Sequence, residues 1–340
     1  MLENSPDFSH ASLLDVARRA GVSTATVSRV LNGTATVREA KRKAVERACE
    51  ELGYVLNGAA RTLSSRRSMT IGAVVPTLAT ETFSRPLAAF QRTVHQAGYT
   101  LLLANSGFDP QVELKEVTTL LEHGVDALMV VGQIHDPKLW ERIERKGIPC
   151  VQTWSLDAAH PSVGFDNIAV ARQVADHLIA LGHTRIAMIV GTPPSNDRVS
   201  GRIVGTRERL AEARLELRPD WLIDSAFSLD EARESMLRLL IGDDRPTAVI
   251  CGNDLLAFGA LLAANASGLR VPEDLSIAGF NDFDYAAHLS PPLTTVRVAL
   301  DQMGECAGGY LLGELTGRPG VRLTYIDTEL IVRGSTGPAP

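Results

Sequence analysis

A short stretch near the start of the chain, GVSTATVSRVLNG at residues 21–33, combines small hydroxyl side chains with a single arginine. Ser23 can cap a helix, because its hydroxyl can accept a hydrogen bond from a free backbone N–H of the first turn. Serine and threonine hydroxyls can contact phosphates or bases, and Arg29 can bind guanine through two hydrogen bonds. These residue types predict a helix that lies against DNA. The plainer alternatives are a simple cap at Ser23 and a solvent ion pair at Arg29.

The charges of the chain are unevenly distributed. The whole chain carries a net charge of -6, but the segment from Ser12 to Ser68 holds eleven Lys and Arg against five Asp and Glu. That segment therefore has a net charge of +6 and the remainder has -12. A basic segment on an acidic protein indicates a polyanionic partner for that segment alone. A solvated helix surface is the alternative that charge by itself does not exclude.

Three short helices are predicted in this basic segment. The first covers residues 14–20, and the second follows Ser23 with one apolar face. The third covers residues 38–52, and Gly53 suits the position just beyond its end. A helix, a tight turn with glycine and a second helix form the helix-turn-helix pattern, whose second helix enters the major groove of DNA.

From Thr70 onward, short apolar runs alternate with amphipathic stretches. The runs are TIGAVVP, TLLLA, DALMVV, RIAMIV, AVIC and SIAGF. Continuous apolar strands that alternate with helices indicate parallel sheets covered on both faces. The segment is too long for one small doubly wound sheet, so we predict two lobes with a cleft between them. Ligands bind such folds at the carboxyl ends of the strands.

Enzyme signatures are largely absent from the sequence. It contains no GxxxxGK[ST], no GxGxxG after a strand, no HExxH and no GxSxG. His177 and His183 lie six residues apart, which is a poor spacing for a metal on one helix. Gly308 and Gly309 indicate close helix packing rather than a phosphate-binding loop. We therefore expect no cofactor, no metal and no catalytic residue.

Composition favours a soluble protein of about two domains. The chain has 340 residues, of which 45% are hydrophobic and 22% charged. No apolar run approaches the roughly 18 to 20 residues of a membrane span, and the start, MLENSPDFSHASLL, is unlike a signal peptide. The four cysteines lie far apart without a CxxC pair, as is typical of a reducing compartment. We expect a cytoplasmic protein with no membrane partner.

The sequence resembles the lactose/galactose/purine repressor family of bacterial transcription factors over nearly all of its length. The resemblance starts with LLDVARRAGVSTATVSRVLNG and continues through VREAKRKAVERACEELGYVLNGAARTLSSRRSMTIGAVVP. Later it is carried by VGFDN, GHTRIAMIVG, the RxxG at residues 202–205, PTAVICGND, GLRVPEDLSIAGFND and PPLTTV. It implies a small all-α helix-turn-helix head and an α/β body like two-lobed periplasmic binding proteins, with two doubly wound parallel sheets.

The resemblance also implies domain boundaries. The predicted domains are the helix-turn-helix at 12–56, a hinge helix and linker at 57–68, and an effector-binding and dimerisation domain at 69–336. Within the last domain, the predicted lobes are 69–166 with 296–321, and 167–295 with 322–336.

In the head, the resemblance places Thr24, Ala25 and Arg29 at base-reading positions. It matches residues 57–63 to a hinge helix that folds when a dimer meets its operator, with Leu63 as the wedge that kinks DNA from the minor groove. An ordinary core position is the alternative for Leu63. The full set of predicted DNA-contacting residues is Ser23, Thr24, Ala25, Thr26, Ser28, Arg29, Asn32, Arg38, Asn57, Ala60 and Leu63.

Arg38 departs from the pattern of the family. The family usually has Ser or Thr after the residue matching Val37, and that side chain caps the third helix and touches a phosphate. Arg38 can still reach a phosphate through its charge, but the cap is expected to be missing.

In the body, the resemblance predicts six side chains that face the cleft: Phe83, Asp166, Arg202, Phe227, Asn253 and Asn281. Aromatic faces would cover an apolar side of a sugar or base, and Arg202 suits a carboxylate, a phosphate or a hydroxyl pair. The alternatives are core positions for the two phenylalanines and helix capping for Asp166. The family often has an acid at the position of Asn281, so its absence argues against a purine ring N–H as the partner there.

These observations predict a ligand-controlled repressor. We expect a homodimer bound to a palindromic operator in double-stranded DNA and released by a small-molecule inducer, with corepression as the alternative response. The overall match favours the gluconate-repressor branch, and hence a sugar or sugar acid as effector. The chain ends at STGPAP without a leucine heptad, so no tetramer-forming tail is expected. A two-lobed sugar-binding or sugar-processing protein without a transcriptional role is the alternative, but it would leave the basic head unexplained.

Overall fold

The computed structural model describes residues 11–31, 37–54, 67–191, 196–242 and 244–340. The chain divides into two compact units, Met1–Met69 and Thr70–Pro340, which we call the head and the body. None of the described helices is both long and apolar enough to cross a bilayer.

The described part of the head contains three helices. Ser12 and Asp15 form a capping box at the start of the first helix, and Gly53 in the left-handed region (φ 59°) ends the third. Their apolar faces meet in a small core around Val16, Val27 and Val45, each fully buried. The predicted helix-turn-helix arrangement is thus present, with bounds α1 (Leu13–Ala20), α2 (Thr24–Leu31) and α3 (Glu39–Leu52).

The first lobe of the body, the N-lobe, is built on a parallel sheet. Helices α5 and α6 each begin at an Asp-Pro pair, in which the aspartate accepts backbone N–H bonds and proline takes the first helical position. The elements up to the first crossing are β1 (Thr70–Val75), α4 (Glu81–Gln96), β2 (Thr100–Asn105), α5 (Pro110–Glu122), β3 (Ala127–Val131), α6 (Pro137–Lys146), β4 (Cys150–Trp154) and β5 (Ser162–Gly164).

The second lobe, the C-lobe, repeats this plan. Its three central strands are fully buried, which matches the apolar runs RIAMIV, AVIC and SIAGF of the sequence. The elements up to the second crossing are α7 (Asn167–Ala180), β6 (Ile186–Val190), α8 (Asp197–Glu212), β7 (Leu222–Asp224), α9 (Leu229–Leu239), β8 (Ala248–Cys251), α10 (Asp254–Ala266), β9 (Ser276–Asn281) and β10 (Thr294–Val298), with short 3-10 helices at Pro219–Trp221 and Ala286–His288.

The chain crosses between the lobes near residues 165, 299 and 326. After the second crossing, α11 (Leu300–Leu315) packs in the N-lobe against α4, and β11 (Leu323–Tyr325) pairs with β5. After the third crossing, β12 (Thr328–Ile331) pairs antiparallel with β10 in the C-lobe.

Two of the predicted lobe boundaries are corrected by this pairing. Residues 296–298 were assigned to the N-lobe, but they complete β10, which pairs with β9 of the C-lobe. Residues 322–325 were assigned to the C-lobe, but β11 hydrogen-bonds to β5 of the N-lobe. Short strands take their lobe from their pairing partner, which local sequence does not specify.

Both sheets share one strand order. It is β11-β5-β4-β3-β1-β2 in the N-lobe and β12-β10-β9-β8-β6-β7 in the C-lobe. In the N-lobe, β2 lies on one side of β1 and all later strands lie on the other, so the strand order reverses between β1 and β3. In the C-lobe it reverses in the same way between β6 and β8. In doubly wound folds, ligands bind at the carboxyl ends of the strands beside such a reversal.

Glycines allow α11 to pack closely on α4. A Cβ at Gly304 would lie 2.0 Å from the carbonyl oxygen of Pro86, and one at Gly308 would lie 2.9 Å from the Thr93 side chain. No described atom lies within 4 Å of a Cβ built at Gly309. The prediction of close packing is therefore confirmed for Gly308 and wrong for Gly309.

Candidate functional site

Helix α2 exposes the side chains that the sequence singled out. The Oγ of Ser23 accepts a hydrogen bond from the backbone N–H of Thr26 at 3.3 Å, which confirms the predicted cap. Thr24, Ala25 and Arg29 are exposed. The helix therefore turns its apolar residues to the head core and presents short side chains and one guanidinium outward.

Arg29 makes no ion pair with any described residue, whereas Arg19 pairs with Glu51 at 2.5 Å. The solvent ion pair considered as an alternative for Arg29 is thus not found in the described part of the head. A guanidinium in this position keeps its donors available for a planar acceptor pair such as the edge of guanine.

Arg38 occupies the N-cap position of α3, and its side chain makes no capping hydrogen bond. The structure therefore confirms the prediction that α3 lacks a side-chain cap. The side chain is exposed and can reach an anion outside the head.

The other predicted DNA-contacting residues differ in position. Ser28 is partly buried on α2. Asn32, Asn57, Ala60 and Leu63 lie outside the described residues, as does the whole predicted hinge helix at 57–63.

An aromatic cluster lines the cleft between the lobes. Phe83 of α4 meets Trp154 edge to face, with ring centroids 5.7 Å apart, and meets Phe108 at 6.0 Å. Phe108 of the N-lobe stacks on Phe227 of the C-lobe at 5.5 Å and 16°. A Cβ at Gly191 would come within 2.4 Å of the Phe227 ring, so a side chain there would displace this ring. These rings provide an apolar wall on both sides of the cleft.

The cleft has a wide outer part and a narrow inner part. The outer cleft, of about 640 Å³, lies between the loops after β1 and β2 of the N-lobe and the loop after β7 of the C-lobe. The inner pocket, of about 30 Å³, continues from it, and Phe227 lines both. The inner pocket is lined by Phe83, Trp154, Arg198, Arg202, Asn253 and Asn281, among others.

Arg202 of α8 is 5% exposed and stacks on the Phe280 ring at 4.4 Å. Its Nε donates to Oδ1 of Asn167 at 3.1 Å and its Nη1 donates to the carbonyl oxygen of Gly252 at 2.5 Å. No described carboxylate forms an ion pair with it. Burial, and then the charge of Arg198, lower the pKa of Arg202 to about 9.

Arg198 lies one turn before Arg202 on α8 and is 6% exposed. Its Nη1 donates to Oδ1 of Asp197 at 2.9 Å. Asp197 in turn accepts from the backbone N–H of Gln133 at 3.2 Å and from the Ser155 hydroxyl, both in the N-lobe. Burial lowers the pKa of Arg198, while the charges of Asp197 and Glu113 act against that change.

Two amide side chains of the inner pocket hold unpaired atoms. Asn253 caps α10 by accepting the backbone N–H of Leu256 at 2.9 Å, which identifies its Nδ2 as the free donor. Asn281 donates to the Thr82 hydroxyl across the cleft at 3.3 Å and leaves its Oδ1 without a described partner. Asn281 also has φ 106°, a strained backbone typical of functional sites.

The structure brings five of the six predicted cleft residues to the inner pocket and leaves one outside it. Phe83, Arg202, Phe227, Asn253 and Asn281 line the pocket together. Asp166 is exposed, caps α7 through the backbone N–H groups of residues 168 and 169, and lines a separate hollow with Tyr325. Asp166 thus caps α7 as the alternative states, and the hollow that it lines also lies between the lobes, apart from the inner pocket.

Sequence reasoning missed Arg198, Trp154 and Phe108. Arg198 had a readable signal, because it stands four residues before Arg202, and residues at that spacing share one face where the segment is helical. Trp154 ends β4 with φ 77°, and Phe108 follows β2 with φ 65°, so both depend on turns at strand ends that the sequence does not announce.

The two histidines considered for metal binding serve the fold instead. His183 is fully buried and hydrogen-bonds with the hydroxyls of Thr247 and Ser276, each at 3.0 Å. His177 hydrogen-bonds with Thr336 at 2.9 Å. Among the described residues, no group of three potential metal ligands occurs.

Comparison with known proteins gives matches for both units. Residues 12–57 match the family model "Bacterial regulatory proteins, lacI family", and residues 175–336 match a periplasmic binding protein-like domain. The chain is 33% identical over 329 residues to the HTH-type transcriptional repressor PurR of Aliivibrio salmonicida, covering 96% of this chain and 98% of that protein.

Solved structures show the same similarity. The lac repressor dimer bound to operator and the anti-inducer ONPF superposes with a TM-score of 0.82 at 29% identity, covering 96% of this chain and 99% of that one. The transcription regulator GntR of Chromobacterium violaceum gives 0.75 at 30% identity, covering 78% and 99%. These identities lie too close together to single out the gluconate branch that the sequence favoured.

Proposed function

The chain belongs to the lacI family of bacterial regulatory proteins and is a ligand-responsive, DNA-binding repressor, and we propose that α2 reads its operator while the interlobe cleft holds its effector. Its relatives are transcriptional repressors and not enzymes.

The proposal for the head rests on one observation, the exposed Arg29 with no ion pair among the described residues. Thr24 and Ala25 on the same exposed end of α2 are short, so the helix can approach the floor of the major groove. Arg29 would then bind guanine through two hydrogen bonds, while Ser23, Thr26, Ser28 and Arg38 contact the backbone.

The resemblance to the family extends the DNA contacts beyond the described residues. Asn32, Asn57 and Ala60 would support the contact, and Leu63 would wedge into the minor groove at the centre of the operator. A second copy of the chain would supply the other half, so that the operator is palindromic and the repressor a homodimer, as the lac repressor is a dimer on its operator.

For the body, we propose that a sugar or sugar acid binds in the cleft as an inducer. Phe83 and Phe227 would cover its apolar face, and Arg202, Asn253 and Asn281 would hydrogen-bond its polar groups. Two hydrogen bonds, Asn281–Thr82 and Asp197–Gln133, join the lobes across the cleft. An effector that replaces either bond would change the angle between the lobes. An effector shifts this equilibrium only if it binds the two lobe arrangements with different affinity.

Binding-site selection with the full chain tests the DNA proposal. We expect enrichment of one palindromic sequence by the wild type, and affinity that falls steeply with salt. Arg29→Ala should lose discrimination at one base pair of each half-site, by about 1–3 kcal/mol. Arg19→Ala is the matched control, because Arg19 is committed to Glu51, and it should select the wild-type sequence. An unchanged selection with Arg29→Ala would contradict the assigned role.

The response to effector is tested on the selected operator. An inducer of the cleft should release the operator in a fluorescence anisotropy titration, and Arg202→Ala should abolish the release, with its operator affinity in the absence of ligand measured as the reference. Tighter DNA binding on addition of the same ligand would instead make it a corepressor.

A further inference from the structure

Two arginines share the inner pocket. Arg198 and Arg202 stand four residues apart on α8 and therefore project from the same face of the helix. Both side chains are buried, and both line the inner pocket. Gly132 of the N-lobe, with φ 87°, makes room for this pair, since a Cβ there would lie 2.4 Å from Nη1 of Arg198.

The negative charges nearby do not neutralise both arginines. No described residue that lines the inner pocket is acidic. Asp197 pairs with Arg198, and Glu113, the other acid near Arg198, is held by His135 at 2.7 Å. Burial acts to lower the pKa of His135, but its hydrogen bond to Glu113 and the charge of Glu113 raise that pKa overall. Arg202 is left without an acidic partner.

The charge of Asp254 acts to raise the pKa of Arg202, but Asp254 forms no ion pair with it among the described residues. It follows Asn253 in the chain, but its oxygens accept the Thr295 hydroxyl at 2.5 Å and the backbone N–H of Phe283 at 2.8 Å. Burial raises its pKa to about 7, and its two oxygens are already occupied by Thr295 and Phe283. A buried guanidinium without a counter-charge is costly, and an anion that enters the pocket would relieve that cost.

The hydrogen-bonding groups around Arg202 favour the same kind of ligand. The free Nδ2 of Asn253 adds a third donor to the two guanidinium groups, and the free Oδ1 of Asn281 is an acceptor beside them. Three converging donors suit the oxygens of an anion, and a neighbouring acceptor suits a hydroxyl. The room of about 30 Å³ fits a small group and not a ring, whereas the outer cleft of about 640 Å³ holds a body of sugar size.

We propose that the effector of this cleft is a hydroxyl-bearing anion, whose carboxylate or phosphate oxygens bind between Arg198, Arg202 and Asn253 while its uncharged part lies in the outer cleft. Arg198 is then a specificity-determining residue that excludes neutral sugars. This inference rests on the proposed function, because it names the chemical class of the effector for the same site.

Matched pairs of ligands test the charge requirement. The full chain is heated with gluconate, galacturonate, glucose 6-phosphate or inorganic phosphate, and with glucose and galactose as neutral counterparts at equal concentration. We expect an anion at 100 times its Kd to raise Tm by about 5 °C, and the neutral sugars to leave it unchanged. Gluconate and glucose 6-phosphate separate a carboxylate from a phosphate. A neutral sugar that raises Tm as much as its acid, or no rise with any of these anions, overturns the proposal.

Asn253→Asp tests the position of the anion. Aspartate is also a good N-cap, so it can keep the bond to Leu256, but it puts a negative charge where the anion is to bind. We expect about 30-fold weaker anion binding or more by calorimetry. Asp136→Asn is the control, because Asp136 caps α6 and lines neither part of the cleft, and it should bind the anion as the wild type does. Equal anion affinity in wild type and Asn253→Asp contradicts the proposed position.

Arg198→Gln tests the specificity role separately. It removes the charge while a long polar side chain can still donate to Asp197. We expect anion affinity to fall at least tenfold and the preference for gluconate over glucose to shrink; an unchanged preference overturns the role. Operator binding without ligand is measured in parallel for all variants. Failure of the wild type to bind any operator would contradict the proposed function, whereas loss of the anion preference alone would contradict only this inference.

Discussion

The Nε of Arg202 donates to Oδ1 of Asn167 at 3.1 Å, and Asn167 donates from its Nδ2 to the carbonyl oxygen of Trp154 at 3.2 Å. Asn167 is the first residue of α7, immediately after the first crossing between the lobes. One amide thus joins the buried arginine of the C-lobe to a strand of the N-lobe. Arg202 is therefore two hydrogen bonds away from a strand of the other lobe.

Removing this amide should weaken both the fold and the effector site. In Asn167→Ala, the buried Nε of Arg202 and the carbonyl of Trp154 lose their partners, and we expect the free energy of unfolding to fall by about 1–3 kcal/mol per unsatisfied group. Urea denaturation measures this loss. Asn167→Asp keeps an acceptor for Arg202 and should lose less. Equal stability of Asn167→Ala and wild type would contradict the relay.

Gly205 should be intolerant of a side chain. A Cβ at Gly205 would lie 2.3 Å from the carbonyl oxygen of Ile168, so α8 would have to move away from α7. We expect Gly205→Ala to lower the free energy of unfolding by about 1–3 kcal/mol. Gly309→Ala is the matched control, since its Cβ meets no described atom within 4 Å, and it should add about 0.5–1 kcal/mol to helix stability. The two midpoints in denaturant should therefore move in opposite directions.

Arg38→Ser should separate a structural role from an electrostatic one. Serine can supply the cap that α3 lacks, and we expect the head to gain about 1 kcal/mol of stability. If Arg38 contacts a phosphate, the slope of log K against log salt should become shallower by about one unit. Thermal unfolding and salt titration of operator binding measure the two effects. An unchanged slope would show that Arg38 makes no phosphate contact.

Asp254 should make the body less stable as the pH rises. Burial raises its pKa in the folded state from 3.8 to about 7, so between these values the unfolded chain has released the proton that the folded chain still binds. The stability associated with the protonated group is complete below about pH 4 and is lost as the pH rises through about 7, on the order of a few kcal/mol in all.

Denaturant midpoints at pH 5 and pH 8 test this assignment. Asp254→Asn can still accept from Phe283 and can donate to the Thr295 hydroxyl, so it keeps the contacts without the titration. The difference between the two midpoints should be smaller in the variant than in the wild type. An equal change of midpoint between pH 5 and pH 8 in the wild type and in Asp254→Asn would contradict the role of Asp254.

Local signals predicted much of the fold. Ser23, Gly21 and Gly53 mark helix ends through their capping chemistry and backbone freedom, and the structure places helix ends at all three. The apolar runs became the buried strands β1, β3, β6, β8 and β9. These features depend on interactions over a few residues, so the local sequence is enough to predict them.

The resemblance to a family predicted most of the inner pocket but not its limits. Phe83, Arg202 and Asn281 lie together in the inner pocket, whereas Asp166 caps α7 and lines another hollow between the lobes. A motif match carries position along the chain. A motif match does not predict the orientation of a side chain that can hydrogen-bond either to a ligand or to a nearby backbone N–H.

By itself, the sequence determined the basic head, the helix-turn-helix with its exposed arginine, and two lobes of alternating strands and helices, because charge, capping and hydrophobic period are properties of neighbouring residues. Only the tertiary structure decided which lobe receives residues 296–298 and 322–325, because strand pairing joins distant segments. It also decided that Arg202 is buried without an acid while Arg198 has Asp197, since a side chain's counter-charge depends on which elements fold against it.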